Sequence, residues 1–550
     1  MSLLHTATAL DFNSEGTPED LARLLVALMS DKQALGQTFM VSWEGSAPTP
    51  EVLVWIRERF AGGIKAYGWN AHNTDKLAQT IGQLQGEALK NEFHIPLLAA
   101  TDQEGGWVRH IKGDTSETPG NMAIGASSVP RDAYLSGYYI GRELAAIGIN
   151  MNFAPLVDLY TNRDSLIIGT RSFGTDPVQV GLLGVASFRG QLAAGIIPTA
   201  KHYPGHGDTR LDSHGILPQI VSDFDQLWER ELLPFRYLVK EGVPVIMSGH
   251  LAFPNTQAGK TSASLSPWFM QDVLREKIGF KGLVITDDLM MYGAQSQTGG
   301  LSRTVKAALL AGNDIVLFSR SIALDNPIWD YLLHEMKVDS AFNARVFDAA
   351  RRVVQTKLQY LKNSSNPIIP DAAQLKTSVP NPESKAFFLS LAARSATVVK
   401  NANNAFPLRR EAAGNVLLAG RYEEFIAIGK QAYPGASGYL FDYGGYAWKR
   451  EELQRLARDS DTVIFCLGDE DDLKLLQSLK GLHKRVLVLS VLSPVYLDKL
   501  EWIDGAIAVY SYVQDSFVSG FSVLLGRLNA GGKVPFPLDE PRWVPPQSKR

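Results

Sequence analysis

The chain has 550 residues, 45% of them hydrophobic and 20% charged, with a net charge of −3. That length is too great for one core, so two or three domains are expected. The balanced charge gives no reason to invoke nucleic acid or an anionic membrane surface, and the single cysteine, Cys466, permits no internal disulfide and no cysteine metal cluster.

No run is long and apolar enough to span a membrane. Residues 1–5 lack a basic region followed by an apolar stretch, so no signal peptide is visible. A cytoplasmic location follows if this terminus is native, a periplasmic or secreted one if a leader has been trimmed. The oligomeric state is not legible from the sequence.

Residues 21–34 carry the apolar spacing of an amphipathic helix, and 37–43 read as a strand. Similar apolar runs follow at 63–68, 96–101, 150–154, 197–202, 244–248, 282–286 and 314–318. Helical patterns separate most of them, at 73–90, 133–147, 178–194 and 226–241. Strands alternating with helices argue for a parallel sheet covered on both faces. Eight such units over about 320 residues fit a closed (β/α)8 TIM-type barrel better than an open sheet.

A helical pattern at 341–360 closes the barrel domain, placed at 1–362. Residues 363–384, rich in Asn, Ser and Pro, read as a linker. Further strands at 397–400, 415–419, 462–467, 485–490 and 506–510, with helices such as 450–458, predict an α/β sandwich domain with a mostly parallel sheet over 385–550. Cys466 lies in one of these apolar runs and reads as a small core residue. The tail from Asp539 is Pro-rich and charged, and is expected to fray.

The polar residues of the barrel units recur in one place. Asp102, Asp158, Lys201, His202, His250, Asp287 and Asp288 fall at or just after the C-terminal ends of strands. In this barrel class the active site lies at that face, so residues far apart in sequence should converge.

The most informative stretch is Lys201-His202-Tyr203-Pro204-Gly205-His206-Gly207-Asp208-Thr209-Arg210-Leu211-Asp212-Ser213-His214. Pro204, Gly205 and Gly207 stop it from continuing as strand or helix. Asp212 and His214 are spaced to set a carboxylate against an imidazole, as a proton-transfer catalyst needs. A metal reading of His202, His206, Asp208 and His214 is weaker. There is no His-Glu-x-x-His helix, and Pro204 and Gly205 spoil a shared helical face. No metal and no organic cofactor is expected.

Asp287, ending a buried strand, is placed to attack an electrophilic carbon, and Asp288 to cap the next helix. Asp102 ends a strand before the turn-forming pair Gly105-Gly106, where it can accept hydrogen bonds from sugar hydroxyls. Trp107 either packs on a sugar face or belongs to the core. Arg171, in Gly169-Thr170-Arg171-Ser172-Phe173-Gly174, offers fixed donors, with an ordinary surface arginine as the alternative.

These residues resemble a known family. The loop at 201–214, Ile285-Thr286-Asp287-Asp288-Leu289-Met290, Asn150-Met151-Asn152-Phe153-Ala154-Pro155 and Arg171-Ser172-Phe173-Gly174 are similar to the β-N-acetylglucosaminidase branch of glycoside hydrolase family 3. Ala393–Asn401 and Gly532-Lys533-Val534-Pro535 resemble, more loosely, that family's C-terminal domain. The resemblance implies a retaining exo-hydrolase that removes terminal non-reducing β-linked N-acetylglucosamine, from peptidoglycan- or chitin-derived fragments. It implies Asp287 as nucleophile and His214 with Asp212 as an acid/base pair in place of the usual second carboxylate. It implies Asp102, Arg171, Lys201 and His202 as partners of sugar hydroxyls.

Two alternatives stand beside it. One is a phosphorylase on the same scaffold, since a histidine repels phosphate less than a glutamate would. The other is a sugar-binding protein without activity, against which the intact Asp287, Asp212 and His214 argue. The chain also departs from the family pattern Gly-Gly-Arg-Val-x-Arg. Trp107 and His110 stand at the two arginine positions, so no binding role is carried onto His110 or Arg109.

Overall fold

The computed structural model describes residues 10–211, 215–444 and 446–538. Eight parallel strands close a barrel: β1 (Phe39–Ser42), β2 (Gly63–Lys65), β3 (Leu98–Thr101), β4 (Met151–Asn152), β5 (Ile197–Tyr203), β6 (Val245–Ser248), β7 (Leu283–Asp288) and β8 (Ile315–Leu317). Each pairs with its sequence neighbour, and β8 closes on β1 through Phe39 opposite Val316. The strands read as continuous apolar runs because both of their faces are buried.

The helices start and stop where local chemistry dictates. Pro130–Ile147 opens on a proline and ends at Gly148, whose φ of +92° suits glycine. The helix expected at 21–34 is two helices, Pro18–Leu28 and Asp31–Gln37. Ser30 interrupts it, capping the second helix in a reciprocal box with Gln33. The pattern at 226–241 likewise splits into Phe224–Glu229 and Leu232–Lys240. Pro234 sits in the first turn of the second piece, where a missing N–H costs nothing.

Residues 363–384 carry the helix Ala372–Ser378 and the start of the helix Pro382–Ser395. The buried Glu143 carboxylate ties this segment to the barrel. It accepts the Asn381 N–H at 3.0 Å and the Ser384 hydroxyl at 2.9 Å.

The second sheet has six strands: β9 (Thr397–Asn401), β10 (Val416–Gly420), β11 (Ser437–Leu440), β12 (Thr462–Leu467), β13 (Arg485–Ser490) and β14 (Gly505–Ala508), in the order β9-β14-β13-β12-β10-β11. Only β9 runs antiparallel, against β14. Edge strand β11 is absent from the sequence reading because it is mostly exposed and Ser-Gly-Tyr-Leu makes no apolar run. Apolar clusters cover both faces of this sheet, and Cys466 is buried in one of them. The barrel and sheet meet through Met122, Tyr160, Val495 and Phe536. Arg394 pairs with Asp132 at 2.6 Å, and the Tyr160 hydroxyl bonds Ser493 at 3.1 Å.

Candidate active site

A cavity of about 400 Å³ opens at the C-terminal mouth of the barrel. Asp102, Arg171, Lys201, His202 and Asp287 all line it. Asp212 and His214 lie outside the described residues.

The strand ends supply a charge network. Lys201, on β5, is almost fully buried, with its ammonium 2.5 Å from Asp102 and 2.6 Å from Glu104. Lys65, ending β2, reaches the other oxygen of Asp102 at 2.6 Å. Arg171, on the turn Gly169–Arg171, donates to both oxygens of Glu104, at 2.9 and 2.7 Å. Three cations thus hold two carboxylates. Burial would raise Asp102, but Lys201 and Lys65 outweigh it and hold it well below the usual carboxylate range. Burial likewise opposes ionisation of Glu104, and Arg171 with Lys201 reverses the effect.

Backbone locks set these groups in place. Asn152 accepts the Gln103 N–H and donates to the Gln103 carbonyl, both at 3.0 Å, fixing the chain just after Asp102. Gly105 and Gly106 have φ of +96° and +60°, which permits the turn between Gln103–Gly105 and Val108–Arg109. At Gly207 a Cβ would lie 1.5 Å from the Leu159 carbonyl oxygen, so only glycine lets this loop approach the chain after β4.

His202 points Nδ1 at Asp158, 2.7 Å away, and Asp158 also accepts the His206 N–H at 2.7 Å. Burial pushes His206 down to about 4, so it is neutral at pH 7. Of the residues weighed as metal ligands, His202 is therefore engaged with Asp158. Asp208 turns to Arg230 at 2.5 Å, and His214 is outside the described residues.

Asp287 sits half-buried at the mouth and accepts the Asp288 N–H at 2.8 Å. Burial opposes its charge, but His202, His250 and that N–H prevail, and its pKa falls to about 2. It is a carboxylate at any ordinary pH. Asp288 does different work. One oxygen accepts the N–H groups of Met290 and Ser319, both at 3.0 Å, tying the turn after β7 to the loop after β8.

Several lining residues escape sequence reasoning. Lys65 lies inside an apolar run; a lysine at the mouth end of a buried strand was the available signal. Tyr67 and Trp69 stack at 4.5 Å and form one wall. His110 also lines the cavity, 3.8 Å from Asp102, and burial pushes it down to about 4. A neutral imidazole therefore stands at an arginine position of the family pattern, and Asp102 takes its second cation from Lys65. Arg109 turns away to Glu117 at 3.0 Å. Trp107 is 39% exposed on the rim, not in the core.

Comparison with known proteins agrees with this architecture. Residues 31–356 match the profile of the Glycosyl hydrolase family 3 N terminal domain. Beta-hexosaminidase A of Pseudoalteromonas piscicida is 31% identical over 429 residues, 70% of this chain and 69% of that protein. A beta-hexosaminidase of Tolumonas auensis is 36% identical over half of this chain and 81% of its own length. Among solved structures, a family 3 beta-N-acetylglucosaminidase from Paenibacillus superposes with a TM-score of 0.84 at 27% identity, over 93% of this chain and 99% of that one. A fungal multi-domain family 3 beta-N-acetylglucosaminidase gives 0.85 at 25% identity over 92% of this chain, which spans 61% of that longer protein. A beta-glucoside phosphorylase, at 20% identity and 0.81, shares the fold. The chain belongs to glycosyl hydrolase family 3 and is a glycoside hydrolase built as a TIM-type barrel followed by an α/β sheet domain.

Proposed function

We propose that the chain is a retaining, exo-acting β-N-acetylhexosaminidase that removes terminal non-reducing β-linked N-acetylglucosamine from peptidoglycan- or chitin-derived fragments. The observation that carries this reading is Asp287 at the mouth of a cavity whose walls carry Asp102, Arg171, Lys201 and His202. An ionised aspartate is a competent nucleophile where an acid activates the leaving group. In the first step an Asp287 oxygen bonds the anomeric carbon while the bond to the leaving oxygen breaks. His214, its imidazolium supported by Asp212, gives the leaving oxygen its proton. In the second step His214 takes a proton from water, which displaces Asp287 and restores the original anomeric configuration. These two roles rest on the sequence motif. Asp102, Arg171, Lys201 and His202 bind the sugar hydroxyls. Residues 1–362 form the catalytic barrel domain, 363–384 the connector and 385–550 the second domain.

The His–Asp pair also favours a second reading, a phosphorylase, because phosphate could replace water in the second step. Turnover of a chromogenic N-acetylglucosaminide with and without phosphate separates the two. A hydrolase releases free N-acetylglucosamine in both; a phosphorylase releases the sugar 1-phosphate when phosphate is present. A wild-type chain with no turnover in either would be a binding protein. His214→Ala tests the acid. Its loss should be far greater on a disaccharide than on an aryl glycoside, and azide should rescue the aryl reaction if the second step has become slow. Equal losses without rescue would place the acid elsewhere.

A further inference from the structure

A cavity of about 340 Å³ opens at the end of the barrel opposite Asp287. Pro244 and Gly282, the residues just before β6 and β7, line it. The helix Ser340–Tyr360 gives the facing wall, through Arg352, Gln355 and Tyr360. Lys281 and Arg352 are its cations, and among the described residues no carboxylate lines it.

Positive charge is in excess at this end. Arg275 and Arg345 pair with the buried Asp314 at 2.9 and 2.6 Å. Arg351 and Arg352 pair with Asp348 at 2.7 and 3.3 Å. Four guanidinium groups thus share two carboxylates before Lys281 is counted. Burial lowers the pKa of Arg275, and the nearby Arg352 and Arg345 lower it further against the pull of Asp314. Tying helices to strand ends is the ordinary structural use of this face of a barrel, and it accounts for Arg275 and Arg345. It does not account for the other two cations. Arg352 donates a hydrogen bond only through Nε, and exposed Lys281 has no ionic partner, both among the described residues.

The turn after the helix Trp268–Lys277 adds donors. Its Phe280 and Gly282 carbonyls accept from Arg275 at 3.2 and 2.6 Å, so both are occupied. The N–H groups of Gly279, Lys281 and Gly282 have no acceptor among the described residues. Gly279 has a φ of +83°, and a Cβ there would meet nothing within 4 Å, so the lip is open. On the facing helix, the Gln355 carbonyl oxygen accepts from Arg351 at 3.2 Å, which leaves its amide N–H groups to donate.

We propose that this cavity is a second ligand site, and that it binds a phosphate dianion, free or as the monoester of a sugar-sized molecule. A guanidinium fork, a lysine point charge and unpaired N–H groups of a glycine turn are the donors that phosphate oxygens take. An excess of two or more positive charges suits a dianion better than a carboxylate. The volume falls within the usual range for small ligands, about 300–1,000 Å³. The site is independent of the activity proposed above, because it lies at the far end of the barrel from Asp287.

The test is calorimetry at pH 7.5 and low ionic strength, on the full chain, with glucose 6-phosphate, inorganic phosphate, glucuronate and glucose. Wild type is compared with Arg352→Gln and Lys281→Gln. Lys281 is exposed, so its replacement should leave the melting temperature unchanged. Arg352→Gln should weaken phosphate binding roughly ten- to hundredfold, as for hydrogen bonds to a charged group. Lys281→Gln, at the open rim, should weaken it roughly two- to fivefold. Tighter binding of glucose 6-phosphate than of inorganic phosphate would identify the ester as the ligand, and equal binding the free ion; either supports the site. No binding of either by the wild type would overturn the proposal. So would affinities unchanged in both variants, which would put the phosphate elsewhere, the Asp287 cavity included. Glucose or glucuronate binding as tightly as glucose 6-phosphate would also overturn it.

Discussion

Lys201 pairs with two buried carboxylates, and Lys201→Met exposes that role. The ammonium lies 2.5 Å from Asp102 and 2.6 Å from Glu104, with its side chain only 2% exposed. Removing one partner of a buried ion pair typically costs about 3–5 kcal/mol, because a charge is stranded. Here each carboxylate keeps another partner, Asp102 through Lys65 and Glu104 through both arms of Arg171. The loss should therefore sit at the low end, about 3 kcal/mol at pH 7. Lys65→Met should cost less, since only Asp102 loses a cation.

The pH dependence carries a definite sign. Asp102 and Glu104 are both depressed in the folded protein. Their contribution is full above their ordinary pKa values and is lost as pH falls through the folded ones. Lys201→Met lets both rise. The stability gap to wild type is then full at neutral pH and narrows only below the ordinary carboxylate range, under pH about 4. Urea unfolding at neutral pH and at pH about 3 measures it. Activity on an aryl N-acetylglucosaminide should fall roughly ten- to hundredfold in kcat/KM, as expected for one charged hydrogen bond. A stability change below about 0.5 kcal/mol at pH 7, the size of an ordinary surface substitution, would refute the reasoning. So would a gap that widens in acid.

Other predictions follow from the same geometry. Asp158→Asn removes the carboxylate that holds the His202 ring and should lower kcat/KM by roughly ten- to hundredfold; unchanged kinetics would mean that His202 needs no such support. Burial raises Glu231 to about 7, so its contribution favours the fold at low pH and is lost as pH rises through 7. Glu231→Gln should flatten the urea midpoint between pH 4.5 and 8, against a wild-type decline of at most about 3 kcal/mol; parallel curves would contradict this. Dialysis against a chelator should leave turnover intact, and restoration by zinc after a loss would reverse the reading of the 201–214 loop.

The barrel was readable because parallel strands buried on both faces print as apolar runs, from Phe39–Ser42 to Ile315–Leu317. Asp102, Lys201 and Asp287 were readable because polar residues at the ends of such runs have few other reasons to be there. Lys65 escaped because a single lysine within a short strand looks like its exposed end, whereas the fold buries it against Asp102. His110 departs from the family's arginine pattern, yet the hairpin after β3 still brings it to the cavity wall. β11 left no trace because an exposed edge strand needs no apolar pattern. The breaks at Ser30 and before Pro234 are cap and proline effects, weaker in a sequence than the periodicity that runs across them.

The central claim is that Asp287 becomes covalently bonded to the sugar. A mechanism-based fluorosugar derived from N-acetylglucosamine should inactivate the enzyme, and peptide mass analysis should place the label on Asp287. Asp287→Ala should take up no label, lack turnover and keep the wild-type circular dichroism spectrum. A label on Asp288 or Glu104, or turnover that survives in Asp287→Ala, would contradict the account.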